Sequence, residues 1–398
     1  MIGDGPPEVL PHEAYLAALA SLDRVGPATL RALLTLGDPA AVWERVRAGR
    51  LPAALVATFP PASAAVVGTW PGLARGIDAA VLWKRCVRLG VGAVSLGSPG
   101  YPVALVDDPD PPVLLFHLGD PDVLVAPRVA IVGTRRATGY GLRQARALGA
   151  ELAQAGVCVV SGLALGIDAA AHRGAIEAAG APPAAVVGGG LESPGPVRNA
   201  RLARDIARTG VILSEAPPGV TALPWRFPVR NRILAGLAQV VVVVESAPVG
   251  GSMLTVQEAQ TRDRPVLAVP GPVDSLVSQG TNLLLGEGAG VCAGTQDVLC
   301  LLSLAGLVGP VGPAGPAAMV DPRPQPVGPA ARVLDELGWR PSTIEQLALR
   351  TGMGLRGLSA AIGRLEQDGW AVRRGGFVER VARAEVRGGE ATVAYRRR

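Results

Sequence analysis

The sequence predicts an α/β fold with a doubly wound parallel sheet, flanked by a small N-terminal helical domain and a C-terminal winged helix. Between residues 80 and 304, short valine-rich runs show no polar alternation, which is typical of strands buried on both faces. Helical segments such as GLRQARALGAELAQAG separate them, as right-handed βαβ crossovers require. The runs are VGAVSLG, VAIVGTR, VCVVSGLA, PAAVVGGG, GVILSEA, QVVVVVES and RPVLAVPG.

The N-terminal segment, residues 1–75, contains apolar helices on either side of a Gly-Pro turn. This pattern resembles a sterile-alpha-motif or helix-hairpin-helix unit. In a helix-hairpin-helix unit, the turn presents backbone N–H groups to DNA phosphates. Only Arg24 and Arg31 lie near the turn, and Asp23 offsets them. We therefore favour a packing role for this segment over a DNA contact.

The C-terminal part of the chain follows a linker. The sheet domain spans residues 80–304, and the Pro/Gly-rich residues 305–329 show no periodicity and predict that linker. Residues 330–398 contain three helical patterns and a Gly-Gly hairpin, which together predict a winged helix. Ser342 and Glu345 have the spacing of a capping box that would open the second helix.

The composition restricts the classes of protein to which this chain can belong. The chain has 398 residues, 49% of them hydrophobic and 18% charged, which suits a large core and two or three domains. The net charge of +5 leans weakly toward anionic partners. No signal peptide and no apolar run of membrane-spanning length are present, so we expect a cytoplasmic protein without membrane contact. The scattered cysteines lack metal-ligand spacing and predict buried reduced thiols: Cys86, Cys158, Cys292 and Cys300.

The loops after the strands predict a phosphate-bearing ligand. Stretches rich in glycine and hydroxyl groups follow several strands, at residues 133–135, 161–168 and 249–252. Because the carboxyl ends of parallel strands share one edge, main-chain amides of these loops can approach a ligand closely. The first loop is neither GxGxxG nor GxxxxGK[ST], so it supports neither a dinucleotide site nor a P-loop.

The segment PWRFPVRNRILAG, residues 224–236, favours a chain of phosphates over a single nucleotide. Guanidinium groups pair with phosphates, and an aromatic ring offers a stacking face to an unpaired base. The alternative is an aromatic-anchored loop with solvated arginines. The segment combines these side chains: Trp225, Arg226, Phe227, Arg230, Asn231 and Arg232.

Catalytic groups are sparse in the sheet domain. No Ser–His–Asp order or carboxylate pair stands out. Asp168 follows a glycine loop and suits a loop organiser, and His172 suits a hydrogen-bonded structural residue. We therefore predict no catalytic residue, no metal and no cofactor.

Seven blocks, taken in order, resemble the DNA-processing protein A family (DprA, also called Smf), over about residues 95–300. They are IVGTRRAT–YG, SGLALGIDAAAH, SEAPPG, FPVRNRILAGLA, VVVVESAPVGGSMLT–EA, AVPGPV and QGTNLLL. The resemblance implies an extended Rossmann-like domain that binds single-stranded DNA. It also implies dimerisation and loading of the RecA recombinase onto incoming DNA during natural transformation.

The resemblance and the loop analysis together predict the DNA-binding residues. Arg135, the arginine of the G-x-R block, is expected to be the main cation, and amides of the glycine loops complete the phosphate cradle. The predicted set is Gly133, Thr134, Arg135, Ser161, Gly162, Gly166, Arg226, Phe227, Arg230, Asn231, Arg232, Gly250, Gly251 and Ser252.

One enzymatic alternative remains open at this point. The stretch GGSMLTVQEA resembles a loop of lysine-decarboxylase-like nucleoside-monophosphate phosphoribohydrolases, in which a glutamate supports N-glycosidic cleavage. Glu258 would be that glutamate here. Its spacing from the glycines departs from the enzyme pattern.

The end of the sheet domain is a candidate dimer surface. The helix QDVLCLLSLAG carries apolar side chains around much of its circumference, and one stripe suffices to pack on the sheet. The remainder either forms a homodimer contact or is buried by the linker and winged helix. The side chains are Val298, Leu299, Leu301, Leu302 and Leu304.

Overall fold

The computed structural model describes residues 10–309, 323–337, 341–374 and 376–381. These residues fall into two compact units, one ending at residue 309 and the other beginning at residue 323.

The first unit opens with short helices. They are α1 (His12–Ala20), α2 (Pro27–Leu34), α3 (Pro39–Arg47), α4 (Ala53–Val56), α5 (Pro61–Ala64), α6 (Trp70–Gly76) and α7 (Ala79–Arg88). Helix α2 starts where Pro27 follows Gly26, because proline has no N–H to lose at a first helical position. Trp70 is fully buried and its Nε1 donates to the Asp23 carbonyl at 3.0 Å.

The N-terminal helices and one face of the sheet share a single hydrophobic core. Trp43 and Trp70 from the helices belong to the same buried cluster as Phe116 and Ile212 from the strands. Arg31 of α2 donates to the Pro111 carbonyl at 3.0 Å and pairs with Asp110, so it is engaged inside the protein.

A nine-stranded sheet forms the centre of the first unit. Its strands are β1 (Gly92–Ser95), β2 (Leu114–Gly119), β3 (Arg128–Val132), β4 (Cys158–Ser161), β5 (Ala184–Val186), β6 (Val211–Ser214), β7 (Val240–Val243), β8 (Val266–Ala268) and β9 (Gly290–Val291). The spatial order is β1-β2-β6-β5-β4-β3-β7-β8-β9, with β1 and β2 antiparallel to their neighbours and the rest parallel. The predicted doubly wound sheet is confirmed. The predictions omitted β2, which has no β-branched residue, and the two-residue β9.

Helices cover both faces of this sheet. They are α8 (Gly139–Gln154), α9 (Ile167–Glu177), α10 (Ala200–Thr209), α11 (Arg226–Leu237), α12 (Gly251–Thr261), α13 (Gln279–Gly286) and α14 (Thr295–Leu304). Alternate residues of β3 separate the faces: Val129 and Ile131 pack toward α8, α9 and α14, whereas Ala130 and Val132 pack toward α11, α12 and α13. The strand order reverses between β3 and β7, so the ligand crevice of such a sheet lies at the carboxyl ends of these two strands.

The structure corrects two expectations about apolar side chains. On α14, Val298 and Leu302 are fully buried, and Leu299 and Leu301 pack against the same core. Of the five apolar residues proposed as a dimer surface, Leu304 alone is largely exposed, at 79%. Among the cysteines, Cys300 is exposed rather than buried, because it lies on the outer side of this helix.

The second unit is a winged helix, as predicted. It contains α15 (Pro329–Leu337), β10 (Ser342–Thr343), α16 (Ile344–Thr351), α17 (Leu355–Gln367), β11 (Ala371–Arg374) and β12 (Phe377–Arg380), with strand order β10-β12-β11. The predicted capping box was wrong by one residue. Thr343 and Gln346 form it, since the Thr343 hydroxyl accepts from the Gln346 N–H at 3.3 Å and the Gln346 side chain accepts from the Thr343 N–H at 3.0 Å.

Candidate nucleic-acid interface

The loops that follow β3 and β7 are tied together at the point where the strand order reverses. The Thr134 N–H donates to the Glu245 carbonyl at 2.7 Å, and the buried Glu245 carboxylate accepts from the Thr138 N–H at 2.9 Å and from its hydroxyl at 2.5 Å. A Cβ on Gly133 would lie 2.6 Å from Ile167 Cγ1, so only glycine permits this close approach. These hydrogen bonds fix the two loops relative to each other without any contribution from a ligand.

Two cavities open at this crevice. The first, which we call the glycine cleft, has a volume of about 420 Å³ and is lined by the loop after β3, the start of α11 and residues 246–247 and 249–252. The second, which we call the apolar cavity, has a volume of about 580 Å³ and is lined by residues 187–190, 192–193, 195–196 and 219–222. They lie side by side, because four residues line both: Arg135, Ala164, Phe227 and Arg230.

Arg135, Phe227 and Arg230 form a ridge between the two cavities. The Arg135 guanidinium lies over the Phe227 ring, 5.2 Å from its centroid, where the ring's negative face attracts a cation. Arg135 is exposed and, among the described residues, forms no ion pair. The ridge thus offers a cation and an aromatic surface at one place.

Arg230 is the buried member of the ridge. It is 7% exposed, its Nη2 donates to the Gly162 carbonyl at 3.3 Å, and burial lowers its pKa to about 10 against the opposing attraction of Asp168. Burial raises the pKa of Asp168. The charge of Arg230 and the hydrogen bonds from the amides of Ala164 and Gly162 partly oppose this shift. A Cβ on Gly162 would lie 2.0 Å from Arg230 Nη1 and 2.6 Å from Asp168 Oδ2. Glycine at 162 therefore makes room for both of these buried side chains.

Most of the predicted site residues meet at the two cavities. Gly162 lines the apolar cavity, and Asn231 joins α11 to the loop after β7, since its Nδ2 donates to the Gly251 carbonyl at 3.1 Å. At the start of α12, the amides of Gly250 and Gly251 donate no hydrogen bond to another described residue. The predicted residues that line the glycine cleft are Gly133, Thr134, Arg135, Phe227, Arg230, Asn231, Gly250, Gly251 and Ser252.

Ser161 and Gly166 belong to the scaffold and line neither cavity. The Ser161 side chain is fully buried and donates to the Ile131 carbonyl at 2.6 Å. Gly166 has a φ of 80°, and a Cβ there would lie 2.3 Å from the Thr134 carbonyl oxygen. Both residues hold the loops in place without facing the crevice.

Arg226 and Arg232 also lie outside the two cavities. The Arg226 guanidinium stacks on Trp225, 4.5 Å from the ring centroid, and burial lowers the pKa of Arg226. The Arg232 side chain is 5% exposed and pairs with Glu215 at 2.5 Å and with Asp110 at 3.0 Å. Because these internal ion pairs neutralise its charge, we do not include Arg232 in the proposed interface.

Sequence analysis missed the groups that shape the apolar cavity. A Cβ on Gly190 would lie 2.4 Å from the Pro217 carbonyl oxygen, so the triple glycine allows residues 217–222 to pack closely. Arg85 of α7 pairs with Glu192 at 2.5 Å across the rim of the cavity. The GGG motif was a visible signal for close packing, whereas a pair separated by 107 residues leaves no local pattern.

His172 is buried and electrically neutral. The side chain is fully buried, and burial lowers its pKa to about 3 from 6.5. The backbone of Ser161 lies close enough to favour the protonated ring, but burial outweighs this effect. His172 therefore contributes packing rather than charge.

This burial predicts a pH dependence of stability. Below about pH 6.5 the unfolded chain protonates His172 and the folded chain does not, so acid favours unfolding. We expect the free energy of unfolding to fall by up to about 1.4 kcal/mol per pH unit between about pH 6 and pH 4 from this group. Urea titrations of the wild type and His172→Leu across this range measure the effect. Equal slopes for the two proteins would contradict it.

The enzymatic alternative lacks its key residue. Glu258 lies on α12, where its carboxylate pairs with Arg262 at 2.5 Å, and it lines neither the glycine cleft nor the apolar cavity. Arg262 in turn pairs with the buried Asp108 at 2.7 Å. Glu258 is thus part of a structural ion-pair network.

The described residues contain neither a metal-binding cluster nor a membrane-spanning helix. Within them, no group of three or more histidine, cysteine, aspartate or glutamate side chains is placed to hold a metal ion. No helix among the same residues has both the length and the apolar character needed to cross a membrane.

Comparison with known proteins assigns the family. The model of the family described as DNA recombination-mediator protein A matches residues 92–303, which contain the sheet and both cavities. The chain belongs to this family. A second model, the DprA winged helix domain, matches residues 316–376. A recombination mediator acts by binding and not by chemical turnover, which agrees with the prediction of no enzymatic function.

Individual DprA and Smf proteins are also similar to this chain. The DNA processing protein DprA of Bacillus subtilis is 37% identical over 210 residues, covering 52% of this chain and 70% of that protein. Protein Smf of Escherichia coli is 35% identical over 281 residues, covering 70% and 74%. The X-ray structure of DprA from Streptococcus pneumoniae superimposes with a TM-score of 0.60 at 31% identity, covering 73% of this chain and 98% of that one.

Proposed function

We propose that this chain binds single-stranded DNA across the ridge, protects it, and loads RecA recombinase onto it during natural transformation. The observation that carries the proposal is the position of Arg135 and Phe227 between a cleft with free main-chain amides and an apolar cavity. A nucleic acid strand offers a phosphate and the flat face of an aromatic base at adjacent positions. Membership of the recombination-mediator family supports the same activity.

The two cavities suit different parts of a nucleotide. The glycine cleft has Arg135 at one side and the start of α12 at the other, where free N–H groups favour an anion. We assign it to phosphate, with contacts from Thr134 and from the amides of Gly250 and Gly251. The apolar cavity accepts an unstacked base, with Phe227 as its stacking surface.

This assignment predicts a preference for single strands without sequence specificity. A duplex keeps its bases stacked and cannot place one in the apolar cavity, and the contacts to the backbone are the same for every sequence. We expect labelled oligothymidylate to bind more tightly than duplex of equal length, and its affinity to fall steeply with salt. Fluorescence anisotropy competition measures both effects. Equal affinities for the two forms would contradict the proposal.

RecA loading requires a separate assay. We expect the protein to increase RecA ATPase activity on single-stranded DNA that is already coated with a single-strand-binding protein. Loading onto incoming DNA places this activity in the cytoplasm. An unchanged rate, with DNA binding intact, would restrict the function to DNA binding and protection.

We also propose that the chain acts as a homodimer. Two sites on one strand raise affinity through effective concentration, because the second contact becomes intramolecular. Leu304, at 79% exposure, is the apolar side chain of α14 available for a contact between copies. We expect light scattering to give a dimer mass for the wild type and a monomer mass for Leu304→Arg. A dimer mass for the variant would place the interface elsewhere.

A further inference from the structure

Helix α10 carries a stripe of arginines that the proposed site does not use. One face of the helix is buried in the core, with Leu202, Ala203 and Ile206. At 100° per residue, the arginines fall within about 60° of one another on the opposite face. The stripe consists of Arg201, Arg204 and Arg208, all exposed.

The stripe has little opposing charge. Within the described part of the chain its one ion pair joins Arg208 to Asp205 at a long distance of 3.8 Å, and Arg201 and Arg204 have no hydrogen bond or ion pair. Arg198 is also exposed and lies in the turn before the helix. Other surface arginines are paired closely, such as Arg146 with Glu177 at 2.5 Å. Unpaired charge of one sign attracts an anionic partner.

The stripe adjoins the proposed DNA site. Arg204 and Arg208 line a third cavity of about 590 Å³, between α10, the end of α7 and residues 191–197. This cavity shares a wall with the apolar cavity, formed by Glu192, Ser193, Gly195 and Pro196. A strand that leaves the apolar cavity across this wall reaches the arginines directly.

The geometry points to an exit path, in which single-stranded DNA leaving the ridge crosses residues 192–196 and runs along α10. This inference rests on the proposed function and extends it. The stripe from Arg201 to Arg208 is about 10 Å long, which matches two or three phosphates of one strand. Residues 191–210 contain no aromatic side chain, so the contacts are to the backbone and read no sequence.

A triple substitution tests the path. The variant Arg201→Gln, Arg204→Gln, Arg208→Gln removes the charges and keeps residues that favour helix. The control variant Arg45→Gln, Arg50→Gln, Arg75→Gln removes the same charge from exposed positions that line none of the three cavities. Anisotropy with oligothymidylates of about 6 and about 20 nucleotides spans ordinary single-strand site sizes.

We expect the triple variant to bind the long oligonucleotide about tenfold more weakly and to lose about 2 units of the log–log salt slope, from three contacts. The short oligonucleotide and the control variant should give wild-type values. A triple Arg→Lys variant at the same positions should restore the slope. If the glutamine variant is unfolded by circular dichroism, Arg204→Glu alone carries the test, with weaker binding of the long form.

The outcomes separate the two proposals. Wild-type affinity of the triple variant for the long oligonucleotide, in a protein whose binding still depends on Arg135, overturns the exit path alone. Equal losses for the triple and control variants reduce the effect to net charge and also overturn it. A wild-type protein that binds neither length overturns the proposed function and the path with it.

Discussion

Arg135→Ala is expected to weaken single-strand binding by roughly 10- to 100-fold, since losing a charged contact that is desolvated on binding costs about 1.5–3 kcal/mol. Arg135 borders both cavities and forms no ion pair within the described residues, so a phosphate is free to engage it. Titration of a labelled oligothymidylate by anisotropy measures the loss. Circular dichroism checks that the variant is folded.

Arg136→Ala is the matched comparison, for which we expect a smaller loss than for Arg135→Ala. Arg136 is also exposed and borders the glycine cleft, but it does not contact Phe227 and does not reach the apolar cavity. A solvated arginine contributes under about 1 kcal/mol. Comparable affinities for the two variants would count against Arg135 as the main cation.

Arg232→Gln is expected to lower the free energy of unfolding by about 3 kcal/mol, because it leaves the largely buried Glu215 without its cation, whereas the more exposed Asp110 keeps Arg31. Burial raises the pKa of Glu215, and Arg232 opposes this shift, so the carboxylate depends on its partner. Urea unfolding measures the loss, with the exposed Arg75→Gln as control. Single-strand affinity, measured well below the transition, should stay at the wild-type value.

The result for Arg232 also tests the sequence interpretation. Unchanged stability combined with lost DNA binding would return Arg232 to the interface. The structure argues against that outcome, because the guanidinium contacts Glu215 and Asp110 and is 5% exposed on its side chain.

The two arginines of the RNR motif show what the sequence could and could not predict. Helical geometry separates Arg230 and Arg232 by about 200°, so they cannot both face the crevice. This much could be predicted from their spacing. Which one turns inward depends on Asp110 and Glu215, which lie 122 and 17 residues away along the chain. Contacts of that kind leave no periodic pattern.

The same limit on prediction separates the strands from the apolar cavity. Valine runs buried on both faces predicted the parallel strands and the edge where their loops meet, because burial acts directly on composition. The apolar cavity was not predicted, since it depends on residues 217–222 packing against the triple glycine. Local pattern thus predicted the loops of the glycine cleft but not the apolar cavity.

The contacts of Asp110 bear on how this protein can change over time. One carboxylate pairs with Arg31 from α2 and with Arg232 from α11, the helix that also carries Phe227 and Arg230. Losing the N-terminal helices would therefore remove one of the two cations that pair with Asp110, next to the helix that lines the glycine cleft. The helical segment is not an interchangeable module, and the acidic residue at 110 and the arginine at 31 are expected to be inherited or lost together.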